Sequence, residues 1–370
     1  MDYSEKLTQS IRSVKPSGIR RFFDIVNEMD NVISLSVGEP DFQTPWHVRE
    51  AGITSLEQGK TWYTPNRGFK ELCREISNFY KRKYNLTYDP LEECVVTVGG
   101  SEAIDIAIRC LASAGDEVLI PQPSFVCYEP LTMMAGATPV IIETKAENAF
   151  RLTAEQLEEK ITEKTKLLIL PYPNNPTGGI MERADLEAIA AVIEKHDLMV
   201  LSDEIYSELT YEGKQHVSIA SIDGMRERTI VINGFSKSYA MTGWRLGYAL
   251  GPKEIIAMMV KLHQFCIMSA PTTAQYAAIE ALRNGDVDIE NMRSEYDMRR
   301  RFVVGSLNEM GLSCFNPEGA FYCFPCIKST GLTSEEFCTR LLHSKRVALV
   351  PGSAFGESGE GYVRLSYSYS

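Results

Sequence analysis

Between about Glu92 and Gly251, short apolar runs alternate with segments whose apolar residues recur at helical spacing. The runs are Cys94–Val98, Glu117–Ile120, Thr138–Ile142, Leu167–Leu170, Leu198–Leu201, Thr229–Ile232 and Leu246–Leu250. Aliphatic stretches without polar alternation read as strands covered on both faces. Ser101–Leu111 reads as a helix with Ile104, Ala107, Ile108 and Leu111 on one face. Leu186, Ile189, Ala190 and Ile193 mark a second helix between two of the runs, which makes a βαβ unit with a right-handed crossover. The series predicts a doubly wound α/β core. After about Leu282 the texture changes to a charged helix (Asn291–Asn308) and strand-like Ala320–Pro325, Leu349–Val350 and Tyr362–Ser366. The expected organisation is a large domain over 45–283 and a smaller α+β domain built from both termini, 1–44 and 284–370.

Composition narrows the class. A chain of 370 residues with 44% apolar and 24% charged residues can bury a substantial globular core. The net charge of -11 leaves no basic excess for a nucleic acid or an anionic membrane surface, although small anions need only a local pocket of donors. Met1–Lys6 lacks the charged-then-apolar pattern of a signal peptide, and no apolar stretch is long enough to span a bilayer. The nine cysteines are odd in number, scattered, and often within apolar runs (Cys94, Cys110, Cys266), as reduced thiols of a cytoplasmic protein would be. Cys323 and Cys326 sit in a strand-like stretch, where residues three apart face opposite ways, so core packing is expected there and not redox chemistry. No metal site is predicted.

Candidate chemistry lies where α/β sheets place their ligands, just after the strands. Gly99-Gly100-Ser101 follows one run and opens a helix, a place where free N–H groups meet an anion. Alone, such a pair is an ordinary turn. Pro171-Tyr-Pro-Asn-Asn-Pro-Thr-Gly178 would aim an amide over the sheet, or simply form a β-turn. Ser202-Asp203-Glu204-Ile205-Tyr206 puts a carboxylate at a strand end, or caps a helix. Asn233–Arg245 carries Lys237 just beyond a strand, with Arg245 eight positions on.

Together the four fit one cofactor. A pyridine aldehyde with a phosphate arm needs a lysine for a Schiff base and an acid against the ring nitrogen. It also needs donors for the ring oxygen, and an anion nest with an arginine for the phosphate. That group is pyridoxal 5'-phosphate.

These residues resemble the class I aminotransferases of fold type I, nearly end to end. The likeness begins at Pro16–Arg20, includes Ser36-Val-Gly-Glu-Pro-Asp-Phe42, and closes with Pro351-Gly-Ser-Ala-Phe355 and Gly361-Tyr-Val-Arg-Leu-Ser366. The resemblance implies a mixed, mostly parallel seven-stranded sheet in the large domain and a homodimer with sites at the subunit interface. It implies that Lys237 holds the cofactor and shuttles a proton, that Asp203 pairs with the ring nitrogen, and that Tyr206 and Asn175 bond the ring oxygen. Gly100, Ser101, Ser236 and Arg245 would hold the phosphate, with Tyr63 reaching over from the other subunit, and Phe125 would stack on the ring. Arg364 would clamp the substrate α-carboxylate, assisted by Asn175 and the backbone at Gly38.

Gly234 stands where some relatives carry a phosphate-binding serine, and Ser101 where several aspartate-specific relatives carry a lysine for the distal carboxylate. The second departure weighs against an aspartate enzyme. Arg67, four residues after Tyr63, is a candidate to replace that lysine, against its reading as a solvent-facing loop residue. The chain ends at Ser370, where relatives usually continue into a final helix. Ser202–Tyr211, Val231–Lys237 and Val347–Ser353 look most like N-acetyl-diaminopimelate aminotransferases. The expected activity is therefore exchange of an amino group between an amino acid and a 2-oxo acid. Glutamate and 2-oxoglutarate are the expected pair, and N-acetyl-diaminopimelate is a candidate donor. Aspartate and aromatic aminotransferases are the alternatives, with a carbon–sulfur β-lyase as the rival reaction. A ligand-sensing regulator would need a DNA-binding extension, for which Met1–Lys15 is too short.

Overall fold

The computed structural model describes residues 3–16, 29 and 31–370, so the Ser17–Arg20 part of one motif lies outside the described residues. After a short helix, Gln9–Ser13, the first strand is the two-residue β1 (Ile33–Ser34). The central sheet follows: β2 (Cys94–Thr97), β3 (Glu117–Gln122), β4 (Thr138–Glu143), β5 (Thr165–Leu170), β6 (Met199–Asp203), β7 (Thr229–Gly234) and β8 (Gly247–Leu250). Its order is β2-β8-β7-β6-β5-β3-β4. Neighbours from β7 through β6, β5 and β3 to β4 are parallel, whereas β8 runs antiparallel to both β2 and β7. The seven apolar runs therefore become the seven strands, as the sequence pattern predicts.

Alternation along each strand decides which helix covers it. Leu167 and Ile169 of β5 pack with Ile104 and Ile108 of the helix Gly99–Leu111. Leu168 and Leu170 pack with Leu186, Ile189 and Ile193 of the helix Arg183–Lys195. The period of two splits one apolar run between two cores. Ile169 is wholly buried, and its replacement by Ala should cost about 2–5 kcal/mol.

The carboxyl ends of the parallel strands share one edge of the sheet. No crossover helix intervenes between β7 and β8, so the Phe235–Leu246 connection returns to that same edge. Lys237 and Arg245 are held there together.

The C-terminal part forms β9 (Tyr322–Cys323), β10 (Val347–Ala348), β11 (Val350–Pro351) and β12 (Val363–Ser366). β11, β12 and β9 make an antiparallel sheet in that order, and β10 pairs in parallel with β1, which ties the N-terminal segment to this part. The strand expected over Ala320–Pro325 contracts to Tyr322–Cys323. Ala320 adopts a φ of 59°, outside the extended region, and Pro325 has no N–H to donate. The charged helix is longer than Asn291–Asn308. It spans Asp286–Glu309, with Asp286 and Asp288 in a first turn that favours acids. Cys323 is buried, Cys326 is half-buried, and all nine thiols are free.

Candidate active site

A cavity of about 520 Å3 opens at the strand ends, and every site residue expected from sequence lines it except Tyr63 and the candidate Arg67. Gly38, Gly100, Ser101, Phe125, Asn175, Asp203, Tyr206, Ser236, Lys237, Arg245 and Arg364 thus meet at one place.

Lys237 reaches into the cavity from the β7–β8 connection, and its Nζ donates to the Gly38 carbonyl at 2.6 Å. Burial lowers its pKa to about 8. The positive charges of Arg364 and Arg245 act in the same direction, and Glu39 and Asp203 oppose them. A lysine so placed is an amine at mildly alkaline pH, when it can attack a carbonyl.

Asp203 ends β6, and no helix follows it, so it does not serve as a helix cap. Its Oδ2 accepts from the Tyr128 hydroxyl at 2.7 Å, and its Oδ1 from the Ile205 N–H at 3.2 Å. Burial raises its pKa to about 6, although both donors pull the other way. Among the described residues the carboxylate makes no ion pair, and Lys237 acts on it only as a nearby charge.

The loop after β5 divides labour between its two asparagines. Asn174 Oδ1 accepts from the Thr177 N–H and hydroxyl, at 3.1 and 2.8 Å, and folds the turn. Asn175 is left to face the cavity, where its Oδ1 accepts from Arg364 Nη1 at 2.9 Å. Arg364, on β12, also donates from Nη2 to the Ser36 carbonyl at 2.6 Å. Its Nε has no partner among the described residues. Its guanidinium lies 4.5 Å from the Tyr322 ring centroid and 4.9 Å from that of Phe355. Burial lowers its pKa.

Across the cavity, Gly99 adopts a φ of 76°, and a Cβ there would stand 2.5 Å from Arg245 Nη2. A Cβ on Gly247 would stand 2.6 Å from the Gly100 nitrogen. Glycine at both positions lets Arg245 and the start of β8 close on the helix N-terminus, which forms a cradle for an anion.

Two tyrosines were missed. Tyr128 holds Asp203, and the Tyr322 hydroxyl meets that of Tyr206 at 2.8 Å. Neither sits in a motif, and their partners lie 75 and 116 residues away, so no local pattern could have found them. Tyr63 is 79% exposed and lies outside the cavity of its own chain. Arg67 lies outside the cavity of its own chain, and its Nη1 donates to the Glu92 and Cys94 carbonyls at 3.1 and 2.7 Å, which ties it to the β2 edge.

Residues 30–370 match the family model for aminotransferase class I and II. An aspartate aminotransferase of Pyrococcus abyssi is 50% identical over 96% of this chain and 92% of its own length. A probable N-acetyl-LL-diaminopimelate aminotransferase of Bacillus subtilis is 46% identical over 98% of this chain and 92% of its own. The crystal structure of an aromatic aminotransferase from Pyrococcus horikoshii superposes with a TM-score of 0.90 at 46% identity, over 94% of each chain. Sequence, fold and the architecture of the cavity agree: the chain belongs to the class I and II aminotransferases and is an enzyme that transfers amino groups.

Proposed function

We propose that the cavity holds pyridoxal 5'-phosphate on Lys237 and exchanges an amino group between an amino acid and a 2-oxo acid. The observation that carries this reading is the convergence of a lysine lowered to about 8, a buried carboxylate with no ion pair among the described residues, and a glycine cradle under an arginine. The leftover valences fit the group. Asp203 can accept from a ring N–H, and Gly100, Ser101, Ser236 and Arg245 can receive the phosphate. Tyr206 and Asn175 can serve the ring oxygen, and Phe125 the ring face. When bound, pyridoxal phosphate supplies an aldehyde for the amine and an electron-poor ring that stabilises negative charge at the substrate Cα.

The chain's own residues do the rest. Lys237, once its amine is free, takes the Cα proton and returns it on the other side of the exchange. Arg364, whose guanidinium lines the cavity, holds the substrate α-carboxylate, with the backbone at Gly38 alongside. Tyr128 keeps Asp203 aimed at the ring position.

We further propose a homodimer, with Tyr63 lent to the partner's site. Trp62, Tyr63, Phe265, Ile267 and Met268 are exposed. They belong to one surface, because Thr272 bonds the Trp62 carbonyl and Asn66 the Met268 carbonyl. The pairing of β1 with β10 supports a division into 45–283 and a unit of 1–44 with 284–370. Nine free thiols support a cytoplasmic location.

Glutamate with 2-oxoglutarate is the proposed exchange pair, and the second donor is sought among aspartate, aromatic amino acids and N-acetyl-diaminopimelate. The test is a single-turnover absorbance assay of the cofactor-loaded enzyme against these donors and alanine. Loss of the visible band, restored by 2-oxoglutarate, supports transfer, and the fastest donor names the class. Ammonia and pyruvate from cystathionine, with no donor bleaching the band, would mean a β-lyase instead.

A further inference from the structure

The anion cradle is braced from behind by two residues that do not line the cavity. Glu102 stands in the first turn of the helix Gly99–Leu111. Its Oε2 accepts from the Val98 N–H at 2.5 Å, and its Oε1 accepts from His263 Nδ1 at 2.6 Å. Val98 is the residue immediately before Gly99, whose left-handed backbone aims the cradle. His263 lies on the helix Lys253–Cys266 and is wholly buried. A carboxylate accepts only, so Nδ1 carries the hydrogen. Nε2 has no partner among the described residues, so Glu102 is the one polar partner of the imidazole among them.

We propose that Glu102 and His263 are a positioning pair for the cofactor phosphate: His263 fixes the carboxylate, and the carboxylate fixes the backbone that turns into Gly99 and Gly100. This rests on the cofactor reading above. Without the imidazole, one Glu102 oxygen loses its donor, the side chain is free to leave Val98, and the orphaned N–H relaxes the turn. The consequence falls on affinity for the cofactor and not on the proton transfers at Lys237.

The experiment titrates apo-enzyme with pyridoxal phosphate and records the 31P shift of the bound phosphate, for wild type, His263→Leu, His263→Asn and Glu102→Ala. Loss of a hydrogen bond to a charged group predicts a dissociation constant raised about tenfold in His263→Leu, with a moved 31P resonance. At saturating cofactor, kcat should stay within about twofold of wild type, since the groups that move protons are untouched. Glu102→Ala should match His263→Leu, the double variant should be no worse than either, and His263→Asn should restore part of the affinity through its amide donor. An unchanged constant and 31P shift in both single variants would overturn the pairing, as would a kcat loss at full saturation with normal affinity. If wild type itself fails to bind the cofactor, the fault lies with the cofactor reading and not with the pair.

Discussion

Two arginines of this chain are equally hidden and differently employed. Arg300, on the helix Asp286–Glu309, is wholly buried. Its Nε and Nη2 donate to Asp297 at 2.9 and 2.7 Å, Nη2 to Glu212 at 3.0 Å, and Nη1 to Asn316 at 2.6 Å. Its pKa is raised, although burial alone would lower it. Arg364, buried to 3% exposure, has an amide and a carbonyl for company but no carboxylate within ion-pair distance among the described residues, and its pKa is lowered. A buried charge is tolerable when paired. Arg300 is complete within its own fold. Arg364, like Asp203 and Lys237, is left short of a counter-charge. Burial alone does not mark a site; burial with an unfilled valence does.

The comparison breaks first at the lysine. Lys237→Ala should lower transamination by about four orders of magnitude, because one residue serves as both attachment point and proton carrier. The check is steady-state transfer from the best donor to 2-oxoglutarate. Near-normal turnover would remove Lys237 from the site.

The arginines should then part in opposite ways. Arg364→Leu should reduce kcat/KM by about two to three orders of magnitude, which falls within the span of about 2–5 kcal/mol that a buried charge contact carries. Arg364→Lys should recover little, since an ammonium cannot match a fork. Arg300→Leu should take a shared cation from Asp297 and Glu212, which keep only Arg301 and Asn316, and lower folding stability by about 1–3 kcal/mol, while leaving kcat/KM per folded molecule unchanged. Chemical denaturation and kinetics on the same preparations separate the two. If Arg300→Leu lost activity without stability, the contrast would fail.

Much of this division was legible in the sequence. Strands covered on both faces are apolar along most of their length, so the central sheet, antiparallel β8 included, appears as a series of apolar runs. Site residues follow those runs because the sheet gathers strand ends at one edge. Asn175, Asp203 and Lys237 stand out by position, and their grouping discriminates where each motif alone does not. Tyr128 and Tyr322 did not stand out, since a buried phenol has the same local pattern whether it fills a core or bonds a carboxylate. The anchoring of Arg67 was not legible, because a chain read in one dimension does not reveal that the Glu92 and Cys94 carbonyls lie beside it. The short β9 was overextended for a similar reason: apolar residues around Ala320 pack well without staying extended.

Asp203 offers a smaller effect of reversed sign. Its pKa is raised above that of an unfolded aspartate to about 6. The carboxyl group therefore contributes stability at low pH, and that contribution is lost as pH rises through about 6. Above that pH the ionised form costs the apo-enzyme on the order of 3 kcal/mol. Asp203→Asn removes the charge at constant shape. The apo-variant should melt higher than wild type at pH 7.5, with the difference vanishing towards pH 4, while transamination falls by at least about two orders of magnitude. An apo-variant that melts lower at pH 7.5 would mean that the carboxylate is structurally satisfied, as Arg300 is.

The finest test uses the lysine as a gauge of its neighbours. Lys237 is lowered to about 8 by burial first and by Arg364 second. Below that pH the ammonium cannot attack an aldehyde; above it the amine can. The rate at which apo-enzyme takes up pyridoxal phosphate should therefore rise with pH and level off through about 8, well below the range of an ordinary lysine. Replacing Arg364 by Gln removes a like charge from beside the amine, so the inflection should move upward. Replacing Arg300 should leave it in place, because Arg300 is not among the groups that shift Lys237. Stopped-flow absorbance across pH 6–10 reads all three proteins. An inflection unmoved in Arg364→Gln would mean that burial alone sets the lysine, and the two arginines would then differ in what they bind but not in the field they impose on the site.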